Sequence, residues 1–144
     1  MGPIRKVVID TNIFISGFGW GGKPGVVLTL LENNQIKNYI SPEIFEELKR
    51  AISYPKLKFP ASFQNEILEF AFFHSEFVQP TEHVSVVAGD PADDKFLECA
   101  LAAHAEFVIS GDPHLVKLGK YRAIEILNVA SFLRLLQSAD ERAR

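Results

Sequence analysis

Short apolar runs alternate with segments of helical periodicity along the whole of this 144-residue chain. The runs RKVVI, KNYI, HVSVV, EFVIS and AIEIL begin at residues 5, 37, 83, 106 and 123, and each has the length and composition of a strand. Strands that alternate with helices are joined by crossover connections, which put helices on both faces of a parallel sheet. The sequence therefore predicts an α/β fold, a three-layer α/β/α domain with a central parallel sheet.

The segments between these runs are predicted to be helices. In SPEIFEELKRAI, Ser41 is a suitable N-cap, Pro42 suits the first helical position, and the apolar residues repeat at helical spacing. The other predicted helices cover residues 22–35, 60–77, 91–105 and 128–139, the last with Asn128 as its cap, and residues 112–118 form a short helical turn. The stretch GFGWGGKPG, which contains Trp20, is expected to be a flexible loop that contacts substrate, or simply a long turn.

Composition limits the class of protein. With 47% hydrophobic residues, residues 1–144 are expected to form a single domain with a proper core. Charged residues are well mixed, and no run of about 18 apolar residues could span a bilayer. Arg5 and Lys6 precede only a short apolar run without a cleavage site, unlike a signal peptide. The lone Cys99 is expected to be a buried hydrophobe, so a cytoplasmic protein without membrane contact is predicted.

Two acidic residues follow predicted strands directly. Asp10 ends the first strand, and Asp112 comes one glycine after EFVIS. In a parallel sheet, ligands bind in the crevice beyond the carboxyl ends of the strands. Asp93 in the first turn of one helix and Glu47 about two turns into another could reach the same edge. A carboxylate at the end of an apolar strand is costly to desolvate unless it is paired or holds a cation, which favours a functional role for Asp10.

Each of the other acids also has an ordinary structural explanation. Asp93 suits the positive end of a helix dipole, Glu47 suits a solvated helix position, and Asp112 could cap the turn that begins at Pro113. Together, however, four carboxylates without cysteine or histidine partners suit a hard cation, Mg²⁺ or Mn²⁺. Such a cluster predicts hydrolysis of phosphodiesters by a metal-bound water.

Four segments carry a resemblance to a known family. VVIDTNIFISGF, SPEIFEELKRAI, DPADDKFLECAL and FVISGDPHLVKL resemble the four successive motifs of PIN domains, and in particular the VapC-like toxin components of prokaryotic type II toxin-antitoxin systems. The resemblance covers nearly the whole chain, and the order of four motifs makes it specific. It implies an α/β/α fold, a Mg²⁺- or Mn²⁺-dependent endoribonuclease, a homodimer and an antitoxin protein as partner.

Carried over residue by residue, the resemblance implies a catalytic and metal-binding set. Its members are Asp10, Glu47, Asp93 and Asp112, with Thr11, Asn12 and Ser110 as residues that orient ligands or water. Asp94 is an alternate to Asp93, because the two are adjacent and point about 100° apart on a helix. Asp93 is preferred, since Ala100 then fits the small inward position of the family pattern. Asp90 is assigned to a turn, and Glu46 is the weaker neighbour of Glu47.

The charge of the chain bears on RNA as the substrate. The formal net charge is −3, and setting aside the four proposed carboxylates changes it to +1. A nearly neutral remainder predicts recognition of a selective, folded or single-stranded RNA rather than tight sequence-independent binding. The candidate phosphate contacts are Lys23, Lys49, Arg50, Lys56 and Lys58, each of which also suits an ordinary surface. Phe72 and Phe73 exceed what one helix face can bury and are expected to form a dimer or antitoxin surface.

Two alternatives remain open at this point. A haloacid-dehalogenase-type phosphatase also has an aspartate after its first strand, but it requires a second aspartate two residues later, where this chain has Asn12. A non-enzymatic PIN-like module that binds RNA or protein would be favoured if the four acids failed to converge.

Overall fold

The computed structural model describes residues 4–87 and 91–143, with side chains up to residue 139. Within these ranges the chain forms one six-stranded sheet in the order β3-β2-β1-β4-β6-β5. The strands are β1 (Arg5–Ile9), β2 (Ile36–Ile40), β3 (Ser75–Phe77), β4 (Phe107–Ile109), β5 (Lys120–Tyr121) and β6 (Ile124–Leu127). Neighbouring strands are parallel except for β5 and β6, which are antiparallel. The central parallel sheet is therefore confirmed, with one short antiparallel edge strand that the sequence did not indicate.

Seven α-helices flank the sheet in the described ranges. They are α1 (Thr11–Trp20), α2 (Gly22–Glu32), α3 (Pro42–Ile52), α4 (Ala61–Phe73), α5 (Asp94–Ala103), α6 (Pro113–Leu118) and α7 (Val129–Ala143). Short 3₁₀ turns cover Pro55–Leu57 and Pro91–Asp93. Among the described residues, no helix is both long and apolar enough to cross a membrane.

The two faces of the sheet bury separate apolar clusters. Val7 and Ile9 of β1 pack on one side with residues of α1, α2, α4 and α7, whereas Val8 packs on the other side with residues of α5 and α6. This alternation is what a strand covered by helices on both faces requires. The three-layer α/β/α architecture is confirmed. Cys99 of α5 is fully buried in the second cluster, and burial raises the pKa of its thiol to about 12, as expected of an inert apolar residue.

Three elements meet at the carboxyl edge of the central strands. Ile9 of β1 lies beside Ile109 of β4 in parallel register, and the Asp10 N–H donates to the Ile109 carbonyl over 2.9 Å. The residues after both strands therefore lie side by side. The helix α3 follows β2 directly and begins at Ser41, whose buried hydroxyl accepts the Ile44 N–H at 3.2 Å, as its N-cap role predicts.

The predicted strand at residues 83–87 is wrong. The N–H groups of this segment bond to carboxylates of α5 instead of a neighbouring strand: Val84 donates to Glu98 at 2.9 Å, and Val86 and Val87 donate to Asp94 at 3.0 Å each. Val84 and Val87 are buried, so the apolar pattern reflects packing of an irregular segment.

The predicted helix over residues 60–77 is too long. It ends at Phe73, and Ser75–Phe77 forms β3 beside β2. Asn38 of β2 donates from its Nδ2 to Ser75 Oγ at 2.9 Å, which ties the two strands together. Pairing with a strand that lies far away in the sequence overrides the local helical periodicity here.

The glycine-rich stretch is not a flexible loop. Residues 17–20 complete α1, and Gly21, with φ 73°, separates α1 from α2. Gly17 lets the two helices approach closely, since a Cβ there would lie 2.4 Å from Leu28 Cδ1. Trp20 is 70% exposed at the end of α1, and its ring lies 6.2 Å from that of Phe59.

Candidate active site at the carboxyl edge of the sheet

Asp10 is buried at the end of β1 and caps α1. Its carboxylate accepts the Ser110 hydroxyl at 2.5 Å and the backbone N–H of Asn12 at 3.3 Å. Burial raises the pKa of Asp10 above its ordinary value, with further contributions from the negative charges of Glu47 and Asp112, while the two hydrogen bonds act in the opposite direction. Asp10 therefore sits where its ionised form is costly unless positive charge is supplied.

Asp112 and Asp93 face each other across the same edge. Asp112 caps α6, accepts the His114 N–H at 2.8 Å and donates its own N–H to Ser110 Oγ at 3.0 Å. Burial alone would raise the pKa of Asp112, but a hydrogen bond from the carboxyl of Asp93 and backbone donors at the start of α6 outweigh it and lower the pKa. Two carboxyl groups in hydrogen-bond contact share a proton unless a cation separates them.

Glu47 completes the group from α3. Its Oε2 accepts the Thr11 hydroxyl at 2.6 Å, and its Oε1 lies 2.8 Å from the ammonium of Lys95. Its charge also reaches Asp10, whose pKa it raises. The four acids predicted from the sequence thus converge, although their positions extend over three helix starts and one helix interior.

Lys95 is the residue of this group that the sequence did not indicate. Its side chain is only 7% exposed, and it also donates to the Ala92 carbonyl. A lysine on a helix is usually a surface residue, and its one distinguishing signal is that it directly follows the adjacent acids Asp93 and Asp94.

The two adjacent acids point to different partners. Asp94 turns its carboxylate to the backbone of Val86 and Val87, while Asp93 is buried against Asp112. Glu46 is exposed, as expected of the weaker neighbour of Glu47. Asp90 lies outside the described residues.

The three smaller polar residues contribute unequally. Ser110 is fully buried and connects Asp10 with the Asp112 backbone. Thr11 contacts Glu47. Asn12 contributes its backbone N–H to Asp10, while its side chain is exposed. The orienting contacts therefore come from two hydroxyl groups and one backbone amide.

The donor atoms fit a hard divalent cation, but they are not arranged for one as they stand. In the part of the chain that the structure describes, no three acidic, histidine or cysteine side chains lie close enough together to hold a metal ion. The reason is visible in the contacts, because Glu47 is held by Lys95 and Thr11 and because Asp112 is bonded to Asp93. Carboxylates that repel one another settle on hydrogen-bond and ion-pair partners when no cation draws them together.

A model of the PIN domain family matches residues 6–114, a range that contains all four acids. The chain belongs to the PIN domain family. PIN domains are generally nucleases, and those nucleases generally use divalent metals.

Two relatives of this PIN domain extend the comparison. The uncharacterized protein MJ1680 of Methanocaldococcus jannaschii is 36% identical over 117 residues, which cover 78% of this chain and 74% of that protein. The crystal structure of VapBC2 from Rickettsia felis, bound to a DNA fragment from their promoter, matches with a TM-score of 0.60. That match covers 86% of this PIN domain and 98% of the other chain at 16% identity, and so it shows a shared fold.

Proposed function

We propose that residues 1–144 form a single cytoplasmic PIN domain that hydrolyses RNA phosphodiester bonds as a metal-dependent endoribonuclease. The observation that supports this proposal is the convergence of the four acids at one edge of the sheet. Asp10 and Ser110, separated by 100 positions, share a buried hydrogen bond, and Asp112, Asp93 and Glu47 interact directly with this pair or with each other. A cluster of carboxylates is costly for folding, so its presence favours a function that requires it.

In this proposal Asp10, Asp93 and Asp112 hold Mg²⁺ or Mn²⁺, and Glu47 completes the set or positions the attacking water. The ion, when bound, activates water and stabilises negative charge on the phosphate. Ser110 holds the Asp10 carboxylate in one orientation, and Thr11 does the same for Glu47. The N-termini of α1 and α6 point at Asp10 and Asp112, so their dipoles favour the ionised carboxylates.

The test is Asp10→Asn in the purified protein. The variant removes one negative oxygen while keeping the size of the side chain, so we expect metal-dependent cleavage of a fluorescent RNA to fall about 100-fold or more. Glu46→Gln is the matched control, since that carboxylate is exposed one position from Glu47, and it is expected to cleave like the wild type. Full activity in Asp10→Asn, with an unchanged circular dichroism spectrum, would contradict the assignment.

We further propose that the chain is the toxin of a toxin-antitoxin pair. Support comes from its fold, which it shares with the VapBC2 structure, and from an exposed aromatic patch formed by Phe72, Phe73 and Phe77, a suitable surface for a second copy or for an antitoxin protein. Induction in a host, with and without the neighbouring gene, followed by mapping of new RNA 5′ ends, tests this. Unaffected growth and intact RNA in both cases would contradict it.

A non-enzymatic module that binds RNA or protein is the second candidate. It is favoured by the lack, among the described residues, of three acids arranged to hold a metal as they stand. The cleavage assay decides between the two, because a binding module would retain RNA in a shift assay without cutting it at any Mn²⁺ concentration. The haloacid-dehalogenase alternative has no support, since the chain belongs to the PIN family and Asn12 stands where the second aspartate is required.

A further inference from the structure

A buried ammonium lies inside the acidic cluster. The Lys95 side chain is 7% exposed, its Nζ is 2.8 Å from Glu47 Oε1, and it also donates to the Ala92 carbonyl. Burying a lysine is costly unless it is paired, so its position requires the partner charge of Glu47. Lys95 precedes Phe96, whose ring lies 5.3 Å from Nζ, and this apolar surface lines the stem.

Glu47 has both of its oxygens engaged in this arrangement. Oε1 takes the Lys95 ammonium and Oε2 takes the Thr11 hydroxyl at 2.6 Å. A cation that used Glu47 as a ligand would have to displace the ammonium or lie next to it, and two positive charges at that separation repel strongly. The three aspartates have no such fixed cation among the contacts of the described residues.

We propose that Lys95 is a positioning residue that neutralises Glu47 and thereby limits this site to one divalent ion. The inference rests on the proposed metal-dependent function. Four carboxylates carry four negative charges, of which the ammonium offsets one and a single divalent ion offsets two more. Lys95 thus supplies the positive charge that a second ion would otherwise bring, and it orients Glu47 toward the ion held by the three aspartates.

The test is a Mn²⁺ titration of the full-length protein without RNA, followed by calorimetry and by the electron paramagnetic resonance of free Mn²⁺. The wild type is expected to bind one Mn²⁺ per chain. Lys95→Met keeps an apolar stem but removes the charge, so it is expected to bind two. Lys95→Arg restores a positive charge and is expected to bind one again. Lys117→Met, at an exposed lysine of α6, is the control for a lost surface charge and is also expected to bind one.

Two results overturn the inference. One is a wild type that binds two Mn²⁺ per chain, a measurement that needs no variant to fold. The other is a stoichiometry of one in Lys95→Met. If Lys95→Met alone does not fold, the double variant Glu47→Gln with Lys95→Met removes both charges of the pair. It is expected to bind one ion, and two ions there would overturn the role assigned to Glu47.

The same titration separates this inference from the proposed nuclease activity. One Mn²⁺ per chain without any RNA cleavage overturns the nuclease and leaves the role of Lys95 supported. Two Mn²⁺ per chain with RNA cleavage overturns the role of Lys95 alone. A wild type that binds no Mn²⁺ overturns both.

Discussion

At the scale of single residues, Asp10 shows how a site intended for a cation affects the protein that lacks one. Its carboxylate is 4% exposed, and burial raises its pKa. A carboxyl group with a raised pKa in the folded state favours folding at low pH, where it is protonated in both states. That contribution is lost as the pH rises through the raised pKa. The metal-free protein is therefore expected to be destabilised by Asp10 at neutral and alkaline pH.

Asp10→Asn is accordingly expected to raise the melting temperature of the metal-free protein at pH 8. The expected increase is roughly 2–4 °C, the shift that 1 kcal/mol produces in a chain of this size, and it should shrink as the pH falls. Thermal denaturation in EDTA between pH 5 and pH 8 measures it, with Glu46→Gln as the control. An unchanged or lower melting temperature for Asp10→Asn at pH 8 would argue against a costly ionised Asp10.

At the scale of elements, the pair formed by α1 and α2 explains the glycines that follow the first motif. Gly17 lies where a side chain would meet Leu28 Cδ1 at 2.4 Å and the Pro24 carbonyl oxygen at 3.2 Å. Gly25 faces Gly17 across the same contact but has room, since a Cβ there would lie 3.7 Å from its nearest neighbour. The two glycines differ in the space around them and not in their helical conformation. The helix α1 is thereby packed tightly behind Asp10.

Alanine at these two positions is expected to have opposite effects on stability. Gly17→Ala should lower the free energy of unfolding by about 1–3 kcal/mol, because buried Leu28 and the α2 backbone must shift. Gly25→Ala should raise it by about 0.5–1 kcal/mol through helix propensity. Urea denaturation followed by circular dichroism measures both. Equal effects of the two variants would mean that the helices do not pack as closely as the contact at Gly17 requires.

At the scale of the whole molecule, the aromatic patch lies at one edge of the sheet. Phe72 and Phe73 end α4 and Phe77 belongs to the edge strand β3, and they are 54%, 75% and 39% exposed. Their rings contact one another, with centroids 5.4 Å apart for Phe72 and Phe73 and 5.6 Å apart for Phe72 and Phe77. A contiguous apolar surface beside an open strand edge favours association with another chain.

Phe73→Ser is expected to shift a homodimer toward monomer, raising the dissociation constant about tenfold or more, because a well-packed aromatic contact contributes over 1 kcal/mol to binding. The substitution is suited to the test, since Phe73 is exposed and contributes little to folding. Light scattering after size-exclusion chromatography over a range of concentrations measures the mass. Tyr54→Ser, 61% exposed and outside the patch, is the control. A monomeric wild type, or a variant that dimerises equally well, would contradict the dimer.

Much of the candidate site was predictable because its signals are local. The burial of β1, the caps at Ser41 and Asn128, and the positions of Asp10 and Asp112 after apolar strands depend on neighbouring residues. A parallel α/β sheet then requires the two aspartates to lie at one edge. The sequence by itself therefore determined the fold class and the set of four acids that converge.

Only the tertiary structure decided which partners these side chains have. Asp94 is turned to the segment at residues 84–87, residues 75–77 pair as a strand, and Lys95 is buried against Glu47. None of these outcomes follows from periodicity or propensity, because each depends on groups brought together from distant parts of the chain. The free energy of pairing a buried charge or an open strand edge exceeds the weak local preferences that the sequence displays.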